Sequence, residues 1–423
     1  TNQPMVVSKT GKAGLDLNRA AYEVAAIQNE PRRVAILKSE ESLEGNFDST
    51  NACFITYYSV LENGLRPMFL TDYNYAKMHD YEVVFVPDMR YVSDSVFDEL
   101  EKYQENGGKV VVFGEKSLGK DELGHDRDAE RVKRFLENAE VSDIKYLDKN
   151  VTEPEIIEKA VRKAIGDEKL DIVNVYDKET GEKAVDVEWL SGVHDGKISV
   201  NLCSYDWDKD KTVYIEVNGK RVESFFEHRG EKTYDNGEIT LKAYEPVIVS
   251  FETDNPFFDT YGHWAEQNIK KLYADGLVNG KSASRFAPED TLTGAEFATL
   301  LARELKLDTK PADGEAWYAG AVKALENAGI ADGELENADA PISRESICAL
   351  AVRAFEYAAK STAKETDAAY SDTAEIAADK LSFVKKAAAL GLMKGDETNR
   401  FRPASAISRA EASAVIERLS SLN

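Results

Sequence analysis

Two arginines hold the most suggestive chemical positions in this 423-residue sequence. Arg344 and Arg409 each follow a serine, Ser343 or Ser408, of the kind that caps a helix, so each would stand at the first helical position. A guanidinium there, beside free backbone N–H groups and the positive end of the helix dipole, favours a bound anion. Glu411 follows Ser408 by three residues and Glu296 follows Thr293 by three, so both pairs fit a capping box. Solvated surface arginines are the plain alternative, but the same residue recurs here in register.

The elements that must position these residues form a pattern written three times. The first copy runs through Asp259-Thr260 and Trp264 to Gly276-Leu277-Val278-Asn279-Gly280, then Phe286-Ala287-Pro288 and Thr293-Gly294-Ala295-Glu296. The second keeps Trp317, Gly329, Gly333 and Ser343-Arg344-Glu345; the third reads Asp372-Thr373, Gly391-Leu392-Met393-Lys394-Gly395, Phe401-Arg402-Pro403 and Ser408-Arg409-Ala410-Glu411. Ile269, Leu272 and Tyr273 mark a helix ending at Gly276, and Phe297, Leu300, Leu301 and Leu305 mark the buried stripe of the next. Each unit is thus a helix, a glycine-rich loop, a short extended Phe-x-Pro and a capped helix. One such unit cannot bury its apolar face alone.

Residues 256–423 resemble the S-layer homology family in the Asp-Thr start, the Trp, the Gly-Leu-x-x-Gly, the Phe-x-Pro and the Ser-Arg-Ala-Glu. The resemblance implies a mainly α-helical, pseudo-threefold module that binds secondary cell-wall polymer, typically pyruvylated, in grooves between repeats. Such a module holds extracellular proteins on a Gram-positive type of envelope. It implies Arg344 and Arg409 for the acidic substituent, Trp264 and Trp317 for stacking or packing, and polymer contacts for Asp259 and Asp372. Simple core packing is the alternative for the tryptophans. Three positions depart from the pattern: Gly294 replaces an arginine, Ser346 a capping glutamate, and Asp379 a tryptophan.

Charge constrains the partners. With 53 Lys+Arg against 77 Asp+Glu, the net charge of −24 argues against nucleic acid. An anionic polymer gains no long-range attraction either, so its recognition must be local. Cys53, Cys203 and Cys348 are widely spaced and read as small apolar residues without a disulfide framework. No apolar run reaches the roughly 20 residues a membrane span needs, so no membrane partner is expected. The sequence opens on Thr-Asn-Gln-Pro without a secretory signal, and an exported protein needs one, removed or upstream.

The first 30 residues contain an expected helix from about Leu15 to Ile27, with Leu17, Ala21, Val24 and Ile27 on one stripe, as a linker from an upstream region. Residues 31–165 alternate strand and helix: strands at Val34–Leu37, Pro67–Leu70, Tyr81–Pro87 and Lys109–Gly114, helices at Phe54–Asn63 and Ser93–Glu105. The expectation is a flavodoxin-like parallel sheet. No phosphate cradle follows the first strand. Gly114-Glu115-Lys116 after the fourth offers no nucleophile, and His125 is a lone histidine in a charged loop. Arg33-Val34-Ala35-Ile36-Leu37, Tyr81 to Pro87 and Gly107 to Phe113 resemble the trimerisation domain of family 42 type β-galactosidases, an amidotransferase-like domain that is catalytically silent.

Residues 166–252 read as an all-β sandwich, with a hairpin at Asn218-Gly219 and a final strand through Tyr244-Glu245-Pro246. The stretch resembles the C-terminal β domain of glycoside hydrolases. Asp206, Asp208 and Asp210 alternate around Trp207 but lack the glycine and closing glutamate of a calcium loop, so they read as a solvated turn. Asp186 and Glu188 share a strand face without a cleft. No catalytic residue, metal or cofactor is assigned.

The multidomain reading is therefore 1–30, 31–165, 166–252, and repeats at 256–308, 309–363 and 367–423. Functionally it is the non-catalytic C-terminal portion of a wall-anchored glycoside hydrolase, β-galactosidase-like in organisation and trimeric by resemblance. The alternative is a surface-layer or envelope structural protein with no enzyme attached.

Overall fold

The computed structural model describes residues 14–44, 46–144, 146, 147, 150, 151, 154–367 and 369–422. Its contacts divide the chain into two compact units, one up to Thr253 and one from Asp254.

In the first unit, strands β1 (Val34–Leu37), β2 (Met68–Leu70), β3 (Val83–Pro87), β4 (Lys109–Phe113) and β5 (Glu140–Ser142) form one sheet in the order β2-β1-β3-β4-β5. Every pairing is parallel. A parallel sheet is covered on both faces, which is why β1 and β3 are continuous apolar runs and wholly buried. Helices Phe47–Leu61, Asp94–Glu105, Ala129–Glu137 and Pro154–Asp167 accompany it. The first starts seven residues before the expected Phe54. Its buried face hides its period, because Ser49, Thr56 and Ser59 are buried there. Thr56 and Ser59 return their hydroxyls to the carbonyls of Ala52 and Ile55, 2.7 and 2.8 Å away.

The strand ends are internally satisfied. At the carboxyl end of β3 the buried Asp88 carboxylate accepts from Arg90 at 2.9 Å and from Ser49 Oγ at 3.1 Å. After β4, Ser117 Oγ donates to Phe113 O at 2.6 Å. His125 pairs with Asp121 at 2.8 Å in an exposed loop.

A short hairpin, β6 (Tyr146–Leu147) with β7 (Asn150–Val151), leads to the β region. There β8 (Val173–Asp177), β9 (Val187–His194), β10 (Lys197–Ser204), β11 (Lys211–Val217), β12 (Lys220–Arg221), β13 (Phe225–Glu227), β14 (Lys232–Tyr234), β15 (Glu238–Leu241) and β16 (Val247–Glu252) form two antiparallel sheets. One has the order β14-β13-β16-β10-β9, the other β12-β11-β15 with β8 on β11. Asn218 and Gly219 both have positive φ, 47° and 71°, as the two-residue β11–β12 turn requires. The fully buried Trp189 of β9 links the sheets by donating Nε1–H to Val173 O of β8 at 2.9 Å.

The N-terminal segment departs from its expected stripe. Residues 14–19 are helical, Ala20 is a turn, and the helix resumes over Ala21–Asn29. Its buried residues are Ala20, Glu23 and Ile27, while Leu17 and Ala21 are exposed. A polar contact set the face: the Glu23 carboxylate lies 3.4 Å from His194 Nε2 and 3.5 Å from His228 Nε2. Gly192 of β9 lets the helix backbone approach, since a Cβ there would stand 2.5 Å from Ala26 C and O.

The second unit contains the expected element order three times. Helix pairs are Glu266–Ala274 with Gly294–Glu304, Ala319–Asn327 with Arg344–Ala359, and Leu381–Ala389 with Arg409–Ser420. Thr293/Glu296 and Ser408/Glu411 form complete capping boxes, and Ser343 accepts from Ser346 N at 3.3 Å. The second helix of each repeat packs on the first helix of the next, and Arg409–Ser420 returns to Glu266–Ala274. The three repeats therefore share one core, from Phe257 to Leu419. Among the described residues no helix is long and apolar enough to cross a membrane. Cys53 and Cys348 are buried and Cys203 is half-buried, and all three thiols are free.

The close approach at Gly192 can be tested against a helical glycine with open space around it. Gly192→Ala should lower the stability of the first unit by about 1–3 kcal/mol through overpacking. Gly166→Ala, where a Cβ meets nothing within 4 Å, should raise it by roughly 0.5–1 kcal/mol. Thermal unfolding of the two variants checks both signs.

Candidate functional site

The segments entering the three capped helices meet at one point. Leu292 N donates to Ile407 O at 2.9 Å, Ile407 N to Ile342 O at 3.2 Å, and Ile342 N to Leu292 O at 3.2 Å. This closed triangle of backbone hydrogen bonds brings each helix start against a neighbouring repeat. Arg409 N and Ala410 N donate to Asp290 O and Pro288 O of the first repeat, both at 2.9 Å. Arg344 N and Glu345 N donate to Ser405 O and Pro403 O of the third, at 3.0 and 3.1 Å. The expectation of free N–H groups beside the arginines is thereby corrected. The first two donors are spent on the neighbour and the third on the cap, which leaves only side-chain donors at these helix starts.

The arginines follow the same rotation. Arg409 donates Nε to Phe286 O and Nη2 to Asn279 O, both at 2.9 Å, and Nη1 to Glu296 at 3.3 Å. Arg344 donates Nε to Phe401 O at 2.9 Å, Nη2 to Lys394 O at 3.0 Å and Nη1 to Glu411 at 2.6 Å. Each guanidinium also lies over the ring of that phenylalanine, at 4.6 Å for Phe286 and 5.4 Å for Phe401. A guanidinium has five N–H donors, so three bonds leave two for a ligand. Burial lowers the Arg409 pKa, opposed by Glu296, Asp290 and Asp259. Burial pushes the Glu296 carboxyl up, but the Thr293 N–H, Lys281 and Arg409 outweigh it and hold it below its ordinary range.

Asp259 and Asp372 shape the loops that receive the arginines. Asp259 accepts from Phe286 N at 2.8 Å and Ala287 N at 2.6 Å; Asp372 accepts from Phe401 N and Arg402 N, both at 2.8 Å. Ala287 and Arg402 sit at φ 59° and 55°, a conformation that these carboxylates hold in place. Asp372 is buried, and both its oxygens are engaged within its own repeat.

A cavity of about 250 Å³ opens where the repeats meet, lined by Lys281, Glu296, Arg303, Trp317 and Arg409. The first repeat supplies its loop and helix, the second its tryptophan, the third its arginine. Trp317 is 58 % exposed and Trp264 60 %, so neither is a core residue. Trp264 stands at the entry to the helix that packs on Arg409–Ser420, the place in the first repeat that Trp317 holds in the second.

The three departures fall together at the remaining junction. Gly294 N and Ala295 N reach Ala340 O and Ala338 O of the second repeat, so an arginine at 294 would have met the side chain at 346, which is serine. Asp379, in the tryptophan's place, adjoins Lys380, which pairs with Glu334, while Arg353 pairs with Asp332 at 2.8 Å. This junction lacks the arginine, the glutamate and the ring at once.

Sequence reading missed Lys281 and the arginines Arg303, Arg353 and Arg418. Recurrence could have found the latter, since each stands ten residues after its cap. Each donates to the carbonyl of the glycine-rich loop in its own repeat: Leu277 O, Ile330 O and Leu392 O.

Residues 256–298 and 369–413 match the model of the S-layer homology domain. Both segments are S-layer homology repeats. Relatives include an amylopullulanase of Thermoanaerobacterium thermosulfurigenes, 32% identical over 198 residues, covering 44% of this chain and 11% of that protein. An endoglucanase of Bacillus sp. strain KSM-635 is 33% identical over 165 residues, covering 37% and 18%. The surface-layer 125 kDa protein of Lysinibacillus sphaericus is 26% identical over 192 residues, covering 43% and 16%. The chain spans less than a fifth of the length of each of these relatives. Among solved structures, an apo exo-carrageenase GH42 from Bacteroides ovatus has a TM-score of 0.46 at 17% identity, covering 56% of this chain and 31% of its own. A GH42 β-galactosidase catalytic mutant from G. stearothermophilus has a TM-score of 0.40 at 14%, covering 53% and 41%. The matched segments and the surface-layer relative support a location at the cell surface or cell wall.

The aspartate clamp makes a pH prediction. Burial acts to raise the Asp372 pKa, but the Phe401 and Arg402 N–H groups and Arg400 outweigh it, and the net shift is downward from 3.8. A depressed carboxylate contributes stability that is full above its unfolded value and lost as pH falls through the folded one. Asp372→Asn should therefore destabilise the second unit by about 1–3 kcal/mol at neutral pH. The deficit should shrink as the medium is made strongly acidic, read by thermal unfolding across a pH series.

Proposed function

We propose that this chain anchors an extracellular protein by binding an anionic, pyruvylated secondary wall polysaccharide at two of its three repeat junctions. The observation that carries the reading is the cavity where Arg409, Lys281 and Arg303 face one carboxylate, Glu296, beneath the exposed Trp317. Two free guanidinium donors fit a carboxylate substituent, and the ring offers a face to a sugar. The Arg344 and Trp264 junction is the second site by the same rotation. The junction of Gly294, Ser346 and Asp379 is not one, because it lacks the cap arginine and the tryptophan, and its Arg353 is paired with Asp332.

In this reading the repeats form the pseudo-threefold prism of their family on a Gram-positive type of envelope, and the parallel sheet is a flavodoxin-like, non-catalytic domain that supports trimers. The protein carrying it is a glycoside hydrolase of β-galactosidase-like organisation. A surface-layer protein without an enzyme is the second reading, favoured by the match to the Lysinibacillus sphaericus surface-layer protein.

The test is binding of the full chain to purified wall polymer with and without its acidic substituent. Removing the substituent should abolish most affinity. Arg344→Lys and Arg409→Lys, which keep charge but lose the planar fork, should each weaken binding by roughly 1.5–3 kcal/mol. Trp317→Ala should weaken it by about 0.5–1.5 kcal/mol without unfolding the domain, and Asp379→Ala should leave it unchanged. Binding that ignores the substituent and both arginines would defeat the reading.

A further inference from the structure

A second cleft lies in the first unit, remote in sequence from the repeats. Its volume is about 600 Å³, within the range of small-molecule sites. The floor is one row across three paired strands: Leu190 of β9 opposite Asn201 of β10, and Asn201 opposite Ile248 of β16. The N-terminal helical segment forms one wall with Leu17, Ala20, Val24 and Gln28. Tyr244, Glu245 and Pro246 form the other lip.

That lip is built around an uncomfortable residue. Tyr244 has φ 58°, rare for a bulky side chain, and its N–H donates to Ser204 O at 2.8 Å. The conformation leaves its ring part exposed, with Trp207 at 4.4 Å and Tyr205 at 5.5 Å between centroids. Trp207 is 80 % exposed at the tip of the Asp206–Asp210 turn. Asp206 serves the turn itself: its Oδ1 accepts from Asp208 N at 3.0 Å and Lys209 N at 3.3 Å. The turn therefore presents an aromatic ring against Tyr244, which lines the cleft.

The polar lining has both signs and both hydrogen-bonding roles. Arg229 Nε donates to Asp16 Oδ2 at 3.1 Å, leaving Asp16 Oδ1 without a hydrogen-bond partner. Arg66 donates to Gln28 O at 2.8 Å. Two arginines against Asp16 and Glu245 cancel, and burial lowers the His228 pKa toward the neutral ring. The Asn201 amide, with two N–H donors and a carbonyl acceptor, lines the centre of the floor.

We propose that this cleft binds a neutral oligosaccharide, with sugar faces against Tyr244 and Trp207 and hydroxyls on Asn201 and Asp16. A pyranose ring presents an apolar C–H face and a rim of hydroxyls that both donate and accept, matching an aromatic lip beside a mixed polar floor. The cancelled charge excludes a polyanion. An extended peptide would pair along a strand edge. Asn201 and Ile248 at the floor's centre lie on β10 and β16, each paired on both sides, and of the floor strands only β9, at the margin, is an edge strand. An acyl chain would leave Asn201 and Asp16 unsatisfied.

The test titrates the full chain calorimetrically with maltopentaose, cellopentaose and laminaripentaose. At least one should bind. Trp207→Ala and Tyr244→Gly, the latter relieving the positive φ, should each weaken binding by about three- to tenfold. The Trp264→Ala/Trp317→Ala double variant should bind as the parent does, which separates this site from the wall-polymer junctions. Failure of all three sugars at millimolar concentration overturns the proposal. Unchanged affinity in the Trp207→Ala/Tyr244→Gly double variant overturns it too, as does loss of binding in the Trp264→Ala/Trp317→Ala variant.

Discussion

The second unit depends on a hydrogen-bond triangle that no single repeat can make. Leu292, Ile407 and Ile342 each donate to the next and accept from the previous one, so removing any repeat leaves a buried donor and a buried acceptor unpaired. The helix starts extend the same logic outward, because their N–H groups end on carbonyls of a neighbouring repeat. Closure is completed by the last helix on the first, where Lys271 meets Glu417 at 2.8 Å across 146 residues of chain. The arginine cavity has walls from three repeats and exists only in the closed ring.

The buried arginine and glutamate pairs explain why the departures travel together. An arginine whose side chain is 11–13 % exposed is tolerable beside a carboxylate and two carbonyls. Removing the carboxylate leaves a largely buried guanidinium without its ion-pair partner, whereas replacing both residues leaves no such charge. Gly294 and Ser346 are the two ends of one missing pair, and Asp379 leaves the same junction without the tryptophan.

The first unit spends its polar residues differently. Asp88, Ser49 and Ser117 at the sheet's carboxyl end bond to one another or to backbone and leave that edge internally satisfied. The open chemistry lies where the N-terminal helix crosses the antiparallel sheet. Over both units the net charge of −24 repels anions only at long range, and salt screens it beyond roughly 8–10 Å. A few buried cations at a junction can therefore act against the overall sign.

Local signals were legible wherever a residue type is demanded by backbone geometry. The capping boxes at Thr293 and Ser408, the Asn218-Gly219 turn and the apolar runs of β1 and β3 appear in the structure at or within a residue or two of their expected places. Polar burial hid the rest. Helix Phe47–Leu61 and the Glu23 face of the N-terminal helix place serine, threonine and glutamate inward, so apolar periodicity misplaced them. Recurrence alone determined that there are three similar units and which positions differ among them. Only the tertiary structure decided that Arg409 belongs with Lys281 and Trp317, that the helix N–H groups are already spent, and that all three departures share one junction. Those are relations between residues far apart in sequence, set by which carbonyl a donor can reach once the ring has closed.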